Sequence, residues 1–325
     1  MGRLVKPWLF AWTLGFAAIA SGQPAQDAVT YFDVPRGSHP HDVAAAPGAD
    51  GVVYYTAQLT GRLGILDPKS GRATEIPLGP GSAPHGVIVG PDGAAWVTDG
   101  GQNAIVRVDS VTHEVERWPL PPRGANANLN TATFDRDGRV WFTGQSGVYG
   151  RLDPRTGAID VWKAPGGAGP YGMTTTPSGD VYYASLAGNH IARIDPASGS
   201  AAVIRPPTPN QGARRIWSDG HGNLWVSYWN TGQVARYDPR TRAWKEWKLP
   251  GNAHAYAVWV DPADGVWLSD WTANAVVRFD PRSETFATFA SNRERADVRE
   301  LQGRAGETWG AESGTDRLVR IREKR

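Results

Sequence analysis

The chain has 325 residues, with 34 Lys and Arg against 32 Asp and Glu, 39 Gly, 25 Pro and no Cys. Hydrophobic residues make up 40% of it, which excludes a disordered chain and leaves apolar surface for a sizeable core. The near-zero charge removes the electrostatic footprint of a general nucleic-acid or anionic-membrane binder. The missing cysteine removes disulfides, thiolate metal sites and a cysteine nucleophile.

The first element is a leader. Arg3 and Lys6 precede an apolar stretch from Pro7 to Ala20, in which Ala18 and Ala20 stand in A-x-A spacing before Ser21. That is the anatomy of a signal peptide, predicted over residues 1–20 with cleavage near Ala20. No later stretch approaches the roughly twenty apolar residues of a membrane helix. Residues 21–325 are expected to form one soluble domain, a monomer delivered to the periplasm or the medium.

A short strand follows, Thr30 to Pro35 (TYFDVP), with the same pattern as TEIPL (Thr74 to Leu78) and VERWPL (Val115 to Leu120). Beyond it the chain is organised by a repeat. Asp67, Asp109, Asp153, Asp195, Asp238 and Asp280 each close a strand such as GILDP or VRFDP, at spacings of 42, 44, 42, 43 and 42 residues. Within a unit the apolar period is two, and PDG, DGGQN and SVTH supply turn chemistry between short strands. Four strands in about 42 residues is the arithmetic of a β-propeller blade. The fold class is therefore all-β, a seven-bladed propeller of four-stranded blades.

One aromatic recurs in the second strand of every unit: Tyr54, Trp96, Trp141, Tyr182, Trp225, Trp267 and Trp309. Burial energetics assign these rings to the contacts between blades. The last unit supplies only three strands, so the N-terminal TYFDVP is predicted to complete it and close the ring, protecting an edge that would otherwise be unpaired.

The segment P-H-G-V-x-x-G-P-D-G-x-x-W-V-T-D-x-x-x-N-A-I-V-R (Pro84 to Arg107), with PYG (Pro170 to Gly172) and the closing WGAESGTDRLVRI, resembles the virginiamycin B lyase (streptogramin lyase) family of seven-bladed propellers. The resemblance implies a C–O lyase that opens a cyclic depsipeptide by removing a proton beside the ester, with a last-blade His as base and Mg²⁺ polarising the substrate. The family's Glu-Pro-His falls here on Asp297, Val298 and Arg299, so the base position is an arginine, which has no acceptor site. The metal-associated Glu best matches Glu312, the sixth-blade His falls on Tyr256 and the first-blade Tyr on His41.

Topology selects the side chains at the channel mouth. Turns entering the innermost strands place His41, His85, Asn130, Tyr171, Arg214, Tyr256 and Arg299 there. The loops after the second strands are expected to add Ala57, Asp99, Gly144, Ser185, Tyr228, Asp270 and Glu312. These polar sets form the candidate pocket. His41, Tyr256, Asp297 and Arg299 are the catalytic candidates, and His85, Asn130, Tyr171, Arg214 and Asp270 the ligand-binding ones. Arg214, Arg215 and Arg299 favour an anionic ligand through their planar forks, beside the cyclic ester that the resemblance implies. Two other readings stand open: a non-catalytic ligand- or protein-binding propeller, and a metal-dependent lactonase using Asp99, Asn130, Asp270 and Glu312.

Overall fold

A computed structural model describes residues 29–48 and 51–322; the predicted leader lies outside the described residues. Seven four-stranded antiparallel sheets follow one another along the chain as the blades of a propeller. Their inner strands are Pro40–Ala45, Pro84–Val89, Leu129–Phe134, Pro170–Thr175, Ala213–Ser218, Ala255–Val260 and Val298–Leu301, in blades 1 to 7. Among the described residues the helix content is a single 3-10 turn, Pro122–Gly124, and no helix is long and apolar enough to cross a membrane.

The ring closes as the sequence predicts. Val29–Asp33 is the outermost strand of blade 7, antiparallel to Arg317–Arg322 with Val29 opposite Ile321 and Asp33 opposite Arg317. Phe32 packs on Trp309 at 5.2 Å between ring centroids, and Val34 N–H donates to Asp316 O at 3.0 Å.

The core lies between neighbouring blades. Each apolar cluster draws on two of them; one joins Phe32 and Trp309 of blade 7 to Val43 and Tyr55 of blade 1, and another joins Trp225 of blade 5 to Leu268 and Phe279 of blade 6. The seven recurring aromatics sit at these seams, none more than 4% exposed.

The turn signals have a second use at the same seams. Asp135 holds the inner turn through the amides of Asp137 and Arg139, and its other oxygen accepts the Trp141 indole N–H at 2.8 Å. Asp219 and Asp261 do the same for Trp225 and Trp267, at 3.0 and 2.7 Å. Each of these three indoles thus has its hydrogen bond. The 42-residue Asp of the repeat caps the outer turn instead; Asp109 Oδ1 accepts the amides of Val111 and Thr112, as an Asx turn does.

Two local devices aim side chains into the channel. Pairing of the inner strand with its neighbour is irregular in every blade: the register shifts between Pro40 and Val43, between Pro84 and Gly86, and between Ala255 and Val258, for example. A bulge of this kind re-aims the residue within it. A hydroxyl in the second strand then pins the bulge to the next blade. Thr56 Oγ1 accepts Asp42 N–H at 2.9 Å and donates to His85 O at 2.8 Å; Thr98 and Ser227 likewise donate to the carbonyls of Asn130 and Tyr256.

Candidate active site

The predicted inner-turn residues do converge, as a connected chain around one mouth of the channel. The rings of His41 and His85 lie 3.7 Å apart. Asn130 Nδ2 donates to His85 Nε2 at 3.1 Å, and the Tyr171 and Tyr256 hydroxyls are 2.6 Å apart. Arg214 donates from Nη2 to the Tyr171 hydroxyl at 2.9 Å, with its Cζ 3.6 Å from the Tyr256 ring centroid. Tyr256 stacks on Trp271, and Arg299 Cζ lies 5.0 Å from the Trp271 ring.

Beneath this ring lies a second, formed by the next residue of each inner strand. Four of its positions are small, Gly86, Thr131, Gly172 and Ala257, and three are charged, Asp42, Arg215 and Glu300. A Cβ on Gly86 would stand 2.5 Å from Asn130 O, and one on Gly172 would stand 2.7 Å from Arg215 Cα, so glycine is what lets these strands close up. Arg215 bridges the channel. Its Nη2 donates to Asp42 Oδ1 at 2.8 Å and its Nη1 to Thr131 Oγ1 at 2.6 Å, while Nε lies 2.8 Å from Glu300 Oε2 without hydrogen-bond alignment. Arg215 is therefore a buried strut, and the sequence expectation that it helps to clamp a ligand is corrected.

Asp42 carries the strut to the mouth. Its Oδ1 lies 2.8 Å from His41 Nδ1. Because Asp42 Oδ1 also accepts from Arg215 Nη2, it faces His41 Nδ1 as an acceptor, so Nδ1 donates and Nε2 of His41 is left as the acceptor nitrogen. Burial pushes His41 well below the ordinary imidazole range, and the charges of Arg299, Arg215, His39 and Arg214 push it further. His85 is lowered well below that range too, by burial first and then by His41. Both rings are neutral at pH 7.

Glu300 behaves oppositely. Burial raises its carboxyl, the Asp42 charge adds to this, and Arg215 opposes, leaving it at about 8. One guanidinium between two buried carboxylates thus retains one proton. A raised folded-state value means stability that is full below the unfolded value near 4.5 and is lost as pH rises through about 8. Comparing Glu300→Gln with wild type in thermal melts from pH 5 to 9 should therefore remove a declining slope, at most about 1.4 kcal/mol per pH unit. Parallel curves would refute the shared proton.

The outer-loop set does not join the mouth. Asp270 Oδ1 accepts the amides of His254, Thr272 and Ala273 at 3.1, 2.9 and 3.3 Å, so its ligand-binding assignment is corrected to a loop cap. Asp99 holds Ala83 N–H and Gln102 N–H in the same way. Tyr228 turns outward to Glu246. The following residues face the mouth instead: Trp229 against Arg214, Trp271 against Tyr256, and Ser313, which accepts from Arg299 Nε at 2.8 Å. A count one residue short exchanges the two faces of a strand end.

Glu312 fits Mg²⁺ no better. Its Oε1 accepts Ser291 Oγ at 2.8 Å, and its Oε2 accepts Thr315 Oγ1 and both Nε and Nη2 of Arg317, the last at 2.6 Å. A carboxylate so engaged has no charge left for a dication, and the metal assignment of Glu312 is corrected to a buried ion pair with Arg317. His41, Asp42 and His85 do bring three donor atoms within 4.8 Å of one another. Two imidazoles and one carboxylate suit a transition metal more than Mg²⁺, and the Arg215 guanidinium on Asp42 opposes any dication. Asp297 is half-buried beside the mouth in a left-handed conformation, φ 51°.

An open cavity of about 540 Å³ lies on the far side of the strut. It runs from Asp42, Arg215 and Glu300 past Thr133 and Thr174 to the turns at Asp135 and Asp219. The strut thus separates the mouth from this cavity.

A family model for virginiamycin B lyases matches residues 13–253. The chain belongs to the virginiamycin B lyase family. A streptogramin B lyase structure aligns with it at a TM-score of 0.81, covering 90% of this chain and 96% of its own, at 22% identity. The virginiamycin B lyase of Staphylococcus aureus aligns at 0.82, covering 91% and 99%, at 19% identity. At such identities the likeness is one of fold. A gluconolactonase of Zymomonas mobilis is 34% identical over 138 residues, which cover 36% of this chain and 37% of that relative's length. In this member of the virginiamycin B lyase family an arginine, Arg299, stands at the mouth in blade 7, and imidazoles stand there in blades 1 and 2.

Proposed function

We propose that this protein is an exported C–O lyase of the virginiamycin B lyase type, working at the channel mouth with His41 as its base. The observation that carries the reading is the His41–Asp42–Arg215 alignment. It holds a neutral imidazole with Nε2 free of any hydrogen bond among the described residues. General-base catalysis needs such a group within reach of a carbon-bound proton.

The step follows from the residues present. His41 Nε2 takes the proton from the carbon beside a carbonyl, Asp42 stabilises the imidazolium, and the permanently charged Arg299 receives the negative charge growing on the carbonyl oxygen. The electron pair forms a carbon–carbon double bond as the C–O bond at the next carbon breaks. The tyrosine pair Tyr171–Tyr256 stands opposite to protonate the departing oxygen. The metal-dependent lactonase reading finds less support, because Asp99, Asp270 and Glu312 are committed to loop amides and to Arg317.

Mass spectrometry of products from a streptogramin B and from simple lactones tests the reading. Elimination gives a ring-opened product of unchanged mass with a new double bond. A product heavier by one water marks a hydrolase and would overturn it.

A further inference from the structure

Taking His41 as the proton acceptor, we propose that the natural substrate is a β-oxygenated carboxylate of the uronide type, whose carboxylate docks on Arg299. This rests on the lyase reading and names its substrate class.

The first ground is an uncompensated cation. Arg299 spends Nε on Ser313 Oγ and forms no ion pair among the described residues, which leaves the outer edge of its guanidinium, Nη1 and Nη2, without a partner. Two of the carboxylates around it are committed. Asp316 accepts the amides of Gly37 and His39, both at 2.8 Å, and Glu312 belongs to Arg317. Asp297 lies close enough to His39 to act on it, yet makes no ion pair with Arg299. A neutral ester would leave this charge unmatched, whereas two carboxylate oxygens fit its planar fork.

The second ground is the aromatic wall beside it. Trp229 and Trp271 are half-buried at the mouth with rings at 84° and centroids 5.4 Å apart. Trp271 is stacked on Tyr256 with Arg299 over its ring, and Trp229 carries Arg214 and lies against His254, so the two indoles give a sugar ring an apolar rim beside the guanidinium rather than an open stacking face.

The third ground is chemical. The hydrogen beside a free carboxylate is weakly acidic, because its removal places a second negative charge on the group. A guanidinium on the carboxylate offsets that charge. His41 Nε2 then accepts the proton, the electron pair becomes the new double bond, and the glycosidic oxygen leaves with the proton of the Tyr171 hydroxyl. Arg214 Nη2, 2.9 Å from that hydroxyl, stabilises the phenolate until water reprotonates it. The products are an unsaturated uronide and an alcohol, with no other reactant.

The test uses the full mature chain with oligogalacturonate, oligoglucuronate and oligomannuronate as free acids and as methyl esters, read by the ultraviolet absorbance of the unsaturated product. At least one free acid should be eliminated with kcat/KM about 10²-fold above its ester. Arg299→Gln should lower the free-acid rate by about 10²-fold and the ester rate much less. Arg299→Lys, which keeps the charge without the fork, should fall between, and unchanged melting of both variants certifies the fold. Elimination of esters alone, dependent on His41, would sink the carboxylate inference and leave the lyase reading standing. Elimination of neither form would sink the uronide inference, and the mass of the products from streptogramin B and simple lactones then decides the lyase reading separately.

Discussion

His41→Ala is expected to lower kcat/KM by about 10²- to 10⁴-fold, the usual contribution of a positioned general base, while melting stays cooperative. His85→Ala is expected to cost far less, because His85 Nε2 already accepts from Asn130 and is not free to take a proton. The pH profile carries the same assignment. His41 must be neutral to act and its pKa lies below the ordinary 6.5, so the rate should be flat from pH 7 to 8 and fall only in the acid range. A lowered folded-state value also means that His41 costs stability as pH drops below 6.5, where the unfolded chain binds the proton first. An acid limb unchanged in His41→Ala, or a rate within threefold of wild type, would remove His41 from the mechanism.

Deleting Val29–Pro35 should abolish cooperative unfolding or lower the melting temperature by well over 10 °C. The strand supplies the fourth member of blade 7 and the only pairing partner of Arg317–Arg322 on that side. Without it that edge is exposed and Trp309 loses Phe32. Phe32→Ala alone is expected to cost about 3–5 kcal/mol, a large part of the roughly 5–15 kcal/mol that holds a domain folded. Circular-dichroism melts of both variants decide the matter, and a deletion that melts like wild type would show that the ring does not depend on this closure.

Both predictions depend on features of differing visibility. Blade count, strand order and the N-terminal closure were legible because they rest on local patterns repeated seven times: alternation, turn residues and one aromatic per unit. Each copy confirms the others, and a one-residue error in a boundary does no harm. The inner-turn set, His41 to Arg299, was legible for the same reason, since bulge and hydroxyl peg recur in each blade. The loop set failed on one residue: Trp229, Trp271 and Ser313 face the mouth where Tyr228, Asp270 and Glu312 were expected.

The Asp42–Arg215–Glu300 strut left a trace in the chain, since charged residues occupy a position that is otherwise Gly, Thr or Ala. Its meaning was not readable. Partners 173 residues apart, as Asp42 and Arg215 are, meet only after five blades have been laid in order around the ring. The sequence by itself determined the architecture, because β-periodicity, turn chemistry and inter-blade burial act within about 42 residues. Only the tertiary structure decided which histidine has its acceptor nitrogen free, which arginine is a strut and which lacks a counter-charge. Charge pairing across a channel depends on distances that the closed ring alone sets.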